Sequence, residues 1–232
     1  MRRVTHRAYA ALMTTGQPEA ASLPAPTTLV ILVRHGTTPT TGRLLPGRAP
    51  GLGLSETGRE QAERVAERLT ARTIDALYSS PLQRTRETAQ PTAERTGLPV
   101  AEDAGLIECD VGEWTGQALA DLAKLPEWRT VQAEPEAFTF PGGESFVAMQ
   151  ERMVAALARV RDAHLGGTAV CFSHADPIRV ALADALGTPL NRFQRISVDP
   201  CSVSVISYQD GRDPVVLMVN SSQASLADLT AS

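Results

Sequence analysis

The chain has 232 residues, 43% of them hydrophobic, and carries a formal net charge of -4 at pH 7. That is enough length for one α/β domain with flanking tails and enough apolar content for a full core, which excludes a chain disordered throughout. The mild acidity offers no general attraction to nucleic acid or to an anionic membrane, so a bound anion has to be held by a few placed cations, drawn from 21 arginines and Lys124.

Met1-Arg2-Arg3 opens the chain like a signal peptide, but the apolar part, Ala8 to Met13, contains Tyr9 and is shorter than the usual ~7–15-residue core. Residues 1–26, punctuated by Pro18, Pro24 and Pro26, are therefore expected to be a flexible leader. No run approaches the ~20 apolar residues that span a bilayer. Cys109, Cys171 and Cys201 are odd in number and widely spaced, without a CxxC pair. Neither a disulfide framework nor a structural zinc site is indicated, and a reducing cytoplasm is the simplest setting.

Leu29-Val30-Ile31-Leu32-Val33 is a continuous β-prone run that predicts a central strand over 28–33, ending at Arg34-His35-Gly36. A long Gly/Pro-rich loop follows, through Pro39, Pro46 and Gly47 to Gly53. Gly51-Leu52-Gly53 follows a loop rather than a strand and lacks a third glycine, so it is no dinucleotide fingerprint, and no cofactor is implied. Thr57-Gly58-Arg59-Glu60 reads as a capping box for a helix over about 58–71, with Ala62, Val65, Ala66 and Leu69 on one face. A short strand is expected from Ile74 to Tyr78. Ser80-Pro81 then predicts the start of a helix with Arg84 in its first turn, and Pro91 should kink or end it.

Periodicity weakens between Leu98 and Gly143, where a strand near Leu106-Ile107 and a short helix near 116–125 are expected. Trp114, Trp128, Phe138 and Phe140 in this stretch either pack it against the core or face an apolar part of a ligand. Ser145 precedes an amphipathic helix with Phe146, Met149, Met153, Leu157 and Val160 on its buried stripe, stopped by Gly166-Gly167. Strand 168–172 leads into Ser173-His174, and Asp176-Pro177 is expected to cap the next helix, which stops at Gly187. Asp210-Gly211 marks a hairpin whose second arm is Val215 to Val219, and the end from Ser221 is expected to be loose.

Two histidines at strand ends suit one crevice of an α/β fold, because ligand groups gather where parallel strands end. A neutral imidazole can attack phosphorus, provided cations offset the charge of the phosphate; Arg34 and Arg84 are placed for this. A helix N-terminus near Arg84 would reinforce such an anion site. Taken singly, a strand-end histidine is more often structural, and a first-turn arginine is more often a solvated charge. Two histidines and a carboxylate are also a conceivable metal set, but neighbouring arginines would repel the cation.

Five stretches occur in order: Val33-Arg34-His35-Gly36-Thr37-Thr38, Ser79-Ser80-Pro81-Leu82-Gln83-Arg84-Thr85-Arg86-Glu87-Thr88-Ala89, Leu106-Ile107-Glu108-Cys109-Asp110-Val111-Gly112-Glu113-Trp114-Thr115-Gly116, Pro141-Gly142-Gly143-Glu144-Ser145 and Ser173-His174-Ala175-Asp176. Together, over roughly 28–208, they resemble the phosphatase-type branch of the histidine phosphatase superfamily, also called the phosphoglycerate-mutase-like family. The resemblance implies a three-layer α/β/α sandwich with a mostly parallel central sheet; one catalytic domain is expected over 27–220, with a lid-like insert at 109–145, and the Ser/Ala-rich 221–232 is expected to be a flexible tail.

It further implies that His35 is the phosphorylated nucleophile, that Arg34, Arg84 and His174 line the phosphate pocket, and that Glu108 is the general acid and base. No metal is implied. Members of the family often place Asn seven residues after the motif arginine; this chain has Thr41 there, so Thr41 or Arg43 is expected to take that phosphate contact. The activity implied is hydrolysis of a small phosphomonoester, because the insert is short for the closure a mutase needs to exclude water. A phosphoglycerate-type mutase is the nearest alternative, and a non-catalytic phospho-ligand binder of the same fold is a further one. The seven acidic residues of the lid, Asp110, Glu113, Asp121, Glu127, Glu134, Glu136 and Glu144, match a polyphosphorylated ligand poorly. A homodimer and a monomer are both compatible with the chain.

Overall fold

The computed structural model describes residues 26–222. The expected leader, apart from Pro26, and the tail beyond Ser222 lie outside them. Strand β1, Thr27–Arg34, occupies the interior of a six-stranded sheet. Its run of branched and aliphatic side chains suits that place because both of its faces are covered. Val30 and Leu32 point into one apolar core, while Ile31 and Val33 point into a second on the other side of the sheet.

The second core lies under α1 (Glu56–Leu69) and α2 (Gln83–Thr96), and the first lies under α5 (Phe146–Ala163) and α6 (Ala175–Ala185). The remaining strands are β2 (Ala76–Ser79), β3 (Val100–Glu102), β4 (Thr168–Ser173), β5 (Val203–Gln209) and β6 (Val215–Ser221). Their order is β3-β2-β4-β1-β5-β6, with β3, β2, β4 and β1 parallel to one another and the β5–β6 hairpin antiparallel. This is the expected three-layer arrangement with a mostly parallel sheet.

Several local expectations are corrected. Ser55, not Thr57, caps α1, its hydroxyl accepting from the Gly58 N–H; Gly58 is thereby left inside the first turn. A β-carbon on Gly58 would lie 2.0 Å from the Thr37 carbonyl oxygen, and one on Gly36 would lie 2.6 Å from the Gly58 carbonyl oxygen. Both glycines are required because the loop after β1 runs directly over the start of α1. Strand β2 begins at Ala76 rather than Ile74.

Helix α2 starts at Gln83, two residues later than the Ser80-Pro81 signal, and the Ser80 hydroxyl is engaged elsewhere. Pro91 neither ends α2 nor breaks it. The helix continues to Thr96 and closes on Gly97 in the left-handed conformation, whose N–H donates to the Ala93 carbonyl. Leu106-Ile107 is not a strand; a 3-10 turn covers Ala104–Leu106, and the strand pairing is made earlier, at β3. The backbone of His174 caps α6, with Asp176 in its first turn.

The insert carries two short helices, α3 (Leu119–Leu122) and α4 (Trp128–Ala133). Trp114, Phe138 and Phe140 are buried, and their rings pack against Trp128, Phe146 and one another at centroid distances of 5.0–6.3 Å. Of the two expectations for these aromatics, packing against the core is the one realised. The loop after β1 joins the insert through a Leu44–Ala118 bridge and the Leu45 N–H to Gln117 carbonyl bond.

Candidate active site

Strand register brings the two histidines together. Arg34 on β1 is the partner of Ser173 on β4, so His35 and His174 leave adjacent strands at the same level, and the His35 N–H donates to the Ser173 carbonyl. The imidazole centroids are 5.2 Å apart. Nδ1 of His35 lies 2.7 Å from the Gly36 carbonyl oxygen, which can only accept, so Nδ1 carries the proton and Nε2 is left as an unprotonated lone pair. Burial, followed by the charges of Arg34 and Arg84, pushes the His35 pKa down to about 3, so the ring is neutral at physiological pH.

Arg84 is fully buried in the first turn of α2. One of its nitrogens, Nη2, donates to the Gly47 carbonyl at 2.9 Å, while Nε and Nη1 have no protein partner. Arg34 is half-buried: Nη1 donates to the Val198 carbonyl at 2.7 Å, and the buried Nε is unpartnered. His174, also fully buried, contacts the Ser80 hydroxyl through Nε2 at 2.8 Å, and its Nδ1 has no hydrogen-bond partner. Burial and the positive charge of Arg84 hold the His174 ring neutral.

Glu108 stands at the rim. Its Oε2 is 3.8 Å from His174 Nδ1, and its Oε1 accepts the Cys109 N–H at 2.9 Å. Burial and the nearby charge of Asp176 raise its pKa to about 7, against the opposing pull of Arg84, so protonated and ionised forms are both accessible near neutrality. The five residues His35, His174, Arg34, Arg84 and Glu108 thus gather in one cup, where the charges of Arg34 and Arg84 act on both histidines and on Glu108.

Thr41 and Arg43 are placed differently. The Thr41 hydroxyl accepts the Thr38 N–H at 2.9 Å and contacts the Thr38 hydroxyl at 3.0 Å, closing a local turn. Arg43 is exposed, and its guanidinium donates to the Pro39 carbonyl. Four further residues contact the site through others: Ser80, which holds His174, and Arg48, Glu144 and Arg152 behind Glu108. Ser80 was legible only as a helix cap, and nothing in the local pattern distinguished Arg48 and Arg152 from surface arginines. Among the described residues no cluster of three or more His, Cys, Asp or Glu side chains is arranged to hold a metal, and no helix is long and apolar enough to cross a membrane.

Two neutral imidazoles at the ends of adjacent parallel strands, with the guanidinium groups of Arg34 and Arg84 and the carboxyl of Glu108 beside them, suit phosphoryl transfer. The model of the histidine phosphatase superfamily (branch 1) matches residues 30–221, and the chain belongs to that family. It is 37% identical over 196 residues to a protein named Phosphoserine phosphatase 1 from Hydrogenobacter thermophilus, covering 82% of this chain and 91% of that one. It is 34% identical over 184 residues to a Probable phosphoglycerate mutase GpmB of Klebsiella pneumoniae, covering 78% and 85%. Among solved structures, a mycobacterial glucosyl-3-phosphoglycerate phosphatase superposes with a TM-score of 0.77 at 28% identity, covering 84% of this chain and all of the other.

Proposed function

We propose that the protein hydrolyses small phosphomonoesters through a phosphohistidine on His35, with Glu108 as general acid and then general base. The observation that carries this reading is a set of buried polar atoms without protein partners: Arg34 Nε, Arg84 Nε and Nη1, and His174 Nδ1. An unsatisfied buried donor costs about 1–3 kcal/mol, and more when charged, so such a group is tolerated where a ligand completes it. A phosphoryl group supplies the acceptor oxygens for this set.

In the first step His35 Nε2 bonds to phosphorus as the ester P–O bond breaks, and the leaving oxygen takes the carboxyl proton of Glu108. In the second step water attacks phosphorus and loses a proton to the Glu108 carboxylate, the P–N bond breaks, and inorganic phosphate leaves with His35 restored. Arg34, Arg84 and the Nδ1–H tautomer of His174 bind the nonbridging oxygens throughout. That tautomer requires Ser80 to donate to Nε2.

The short, core-packed lid supports hydrolysis over transfer back to product, and relatives named as phosphatases point the same way; phosphoserine and phosphoglycerate-type esters are the first substrates to try. A mutase would isomerise 3-phosphoglycerate faster than it releases phosphate. Three free, buried cysteines suit a cytoplasmic enzyme.

The test is a panel of phosphomonoesters on wild type and His35→Ala, with rapid quenching in alkali, where a P–N bond survives. Wild type should carry label on His35, and the variant should lose about four orders of magnitude in turnover. Equal turnover by the two proteins overturns the assignment.

A further inference from the structure

Glu108 stands on chain with no regular structure of its own, between the 3-10 turns Ala104–Leu106 and Gly112–Trp114. Its main-chain carbonyl nevertheless accepts from two separate guanidinium groups, Arg48 Nε at 2.8 Å and Arg152 Nη2 at 3.0 Å. Both arginines also grip Glu144, near the end of the lid. Glu144 Oε1 accepts from Arg48 Nη2 at 3.0 Å, Arg152 Nη2 at 2.7 Å and the Asp110 N–H at 2.9 Å; its Oε2 accepts from Arg152 Nε at 3.0 Å. Arg152 Nη1 reaches the Gly105 carbonyl, and Arg48 Nη1 lies 3.3 Å from Asp110 Oδ2. Residues 105, 108 and 110 are thus pinned from one side by a single cluster.

Arg48 also follows Gly47, whose carbonyl holds Arg84. Gly47 has φ +47°, and a β-carbon there would lie 2.5 Å from Val111 Cγ2, so the peptide passes close against the segment that carries the acid. One dipeptide therefore touches both the anion-binding arginine and the backbone of the acid.

We propose that Arg48, acting with Glu144 and Arg152, is the positioning residue for Glu108, fixing the acid relative to the phosphoryl group bound by Arg84. The proposal rests on Glu108 being the general acid of the reaction proposed above. Geometry of this kind matters because a displacement of about 1 Å at a reacting group can cost roughly 100-fold in rate. A clamp on the backbone, rather than on the carboxylate, leaves the Oε2 proton free to move.

The experiment compares wild type, Arg48→Met, Glu108→Gln and the double variant on an alkyl phosphate with a poor leaving group, phosphoserine, and on 4-nitrophenyl phosphate, whose leaving group needs little protonation. Arg48→Met should lower kcat on phosphoserine about tenfold more than on 4-nitrophenyl phosphate, with KM little changed. In the Glu108→Gln background the same substitution should add almost nothing, because the two residues act as a unit. Equal slowing of both substrates by Arg48→Met, or an undiminished effect in the double variant, overturns the positioning role.

If Glu108→Gln itself slows the two substrates equally, the acid assignment has failed. If it discriminates between them and Arg48→Met does not, only the positioning role has. Arg48→Lys keeps the charge but loses the guanidinium fork, and provides the same ratio should the methionine variant fold poorly.

Discussion

The cup around His35 and the arm bearing Glu108 are held by different means. His35 and His174 are set by strand register, each at the end of a strand buried on both faces, so peptide hydrogen bonds fix their separation. Glu108 lies outside regular structure and depends on arginine side chains reaching its backbone from the loop after β1 and from α5. The cup has to keep unsatisfied charge buried before substrate arrives, which calls for a rigid frame. In the proposed reaction the acid exchanges a proton twice in each turnover, and burial beside Asp176 raises its pKa to about 7, near the working pH.

Removing a cup cation should have the larger effect. Arg84→Met keeps much of the buried volume but withdraws the charge and two unpartnered donors. Turnover should fall about 100- to 1,000-fold, as when one fixed donor to a transition-state oxyanion is removed. Thermal unfolding gives a second measure, because ligand binding to the folded state raises stability by RT ln(1 + [L]/Kd). Inorganic phosphate or vanadate should raise the Tm of wild type and leave that of the variant nearly unmoved. The same Tm shift in both proteins would mean that Arg84 does not hold the anion, and the distinction between cup and arm would collapse.

The arm should respond to pH instead. With the Glu108 pKa raised to about 7, its protonated form prevails below that value, so the rate on poor leaving groups should fall as pH rises through about 7. Glu108→Gln should lose about 100-fold on such esters and lose this alkaline limb as well. His35, pushed down to about 3, remains an unprotonated nucleophile over the whole range from pH 7 to about 4, and contributes no acid limb there in the free enzyme. The stability effect has the same sign. A carboxyl raised from 4.5 to about 7 on folding binds more protons folded than unfolded between those values, so wild type loses stability as pH rises through that window. Denaturant titrations at pH 5 and pH 8 should show a smaller loss in the glutamine variant. A pH–rate limb that persists in Glu108→Gln would assign the titration to another group.

The cup was the legible half of the site. Leu29–Val33 and Ala169–Phe172 announce buried strands by composition alone, and an imidazole directly after each strand suits one crevice, although it took the family resemblance to bring the two together. The Met149 and Met153 stripe was equally readable as core, since helical spacing with apolar neighbours leaves little choice. The arm was not readable in this way. Glu108 follows Leu106 and Ile107, which look like a strand, but Leu106 closes a 3-10 turn, Ile107 leaves it without pairing, and the sheet edge is already occupied by β3. Its supports lie at 48, 144 and 152, and side-chain contacts between such distant segments leave no local periodicity. Local signals also misplaced caps at Thr57 and at Asp176, where competing Ser55 and the His174 backbone lay two residues earlier.

The smallest effect is expected where family spacing, rather than local chemistry, suggested a contact. Thr41 is committed to the Thr38 turn, and Arg43 is exposed and bonded to the Pro39 carbonyl, so neither offers the buried, unpartnered donor nitrogens that Arg34 and Arg84 bring to the cup. Arg43→Ala should change kcat/KM less than about threefold, within the range of an exposed charge well screened by solvent. Thr41→Val removes the acceptor for the Thr38 N–H, so it should lower stability by about 1 kcal/mol and affect rate only through the loop. A loss beyond about 30-fold for Arg43→Ala, appearing in kcat with phosphoserine and 4-nitrophenyl phosphate alike, would show that the loop closes on bound phosphate and brings a third guanidinium into the cup. The boundary between the cup and the arm would then run through residue 43 instead of stopping at Arg84.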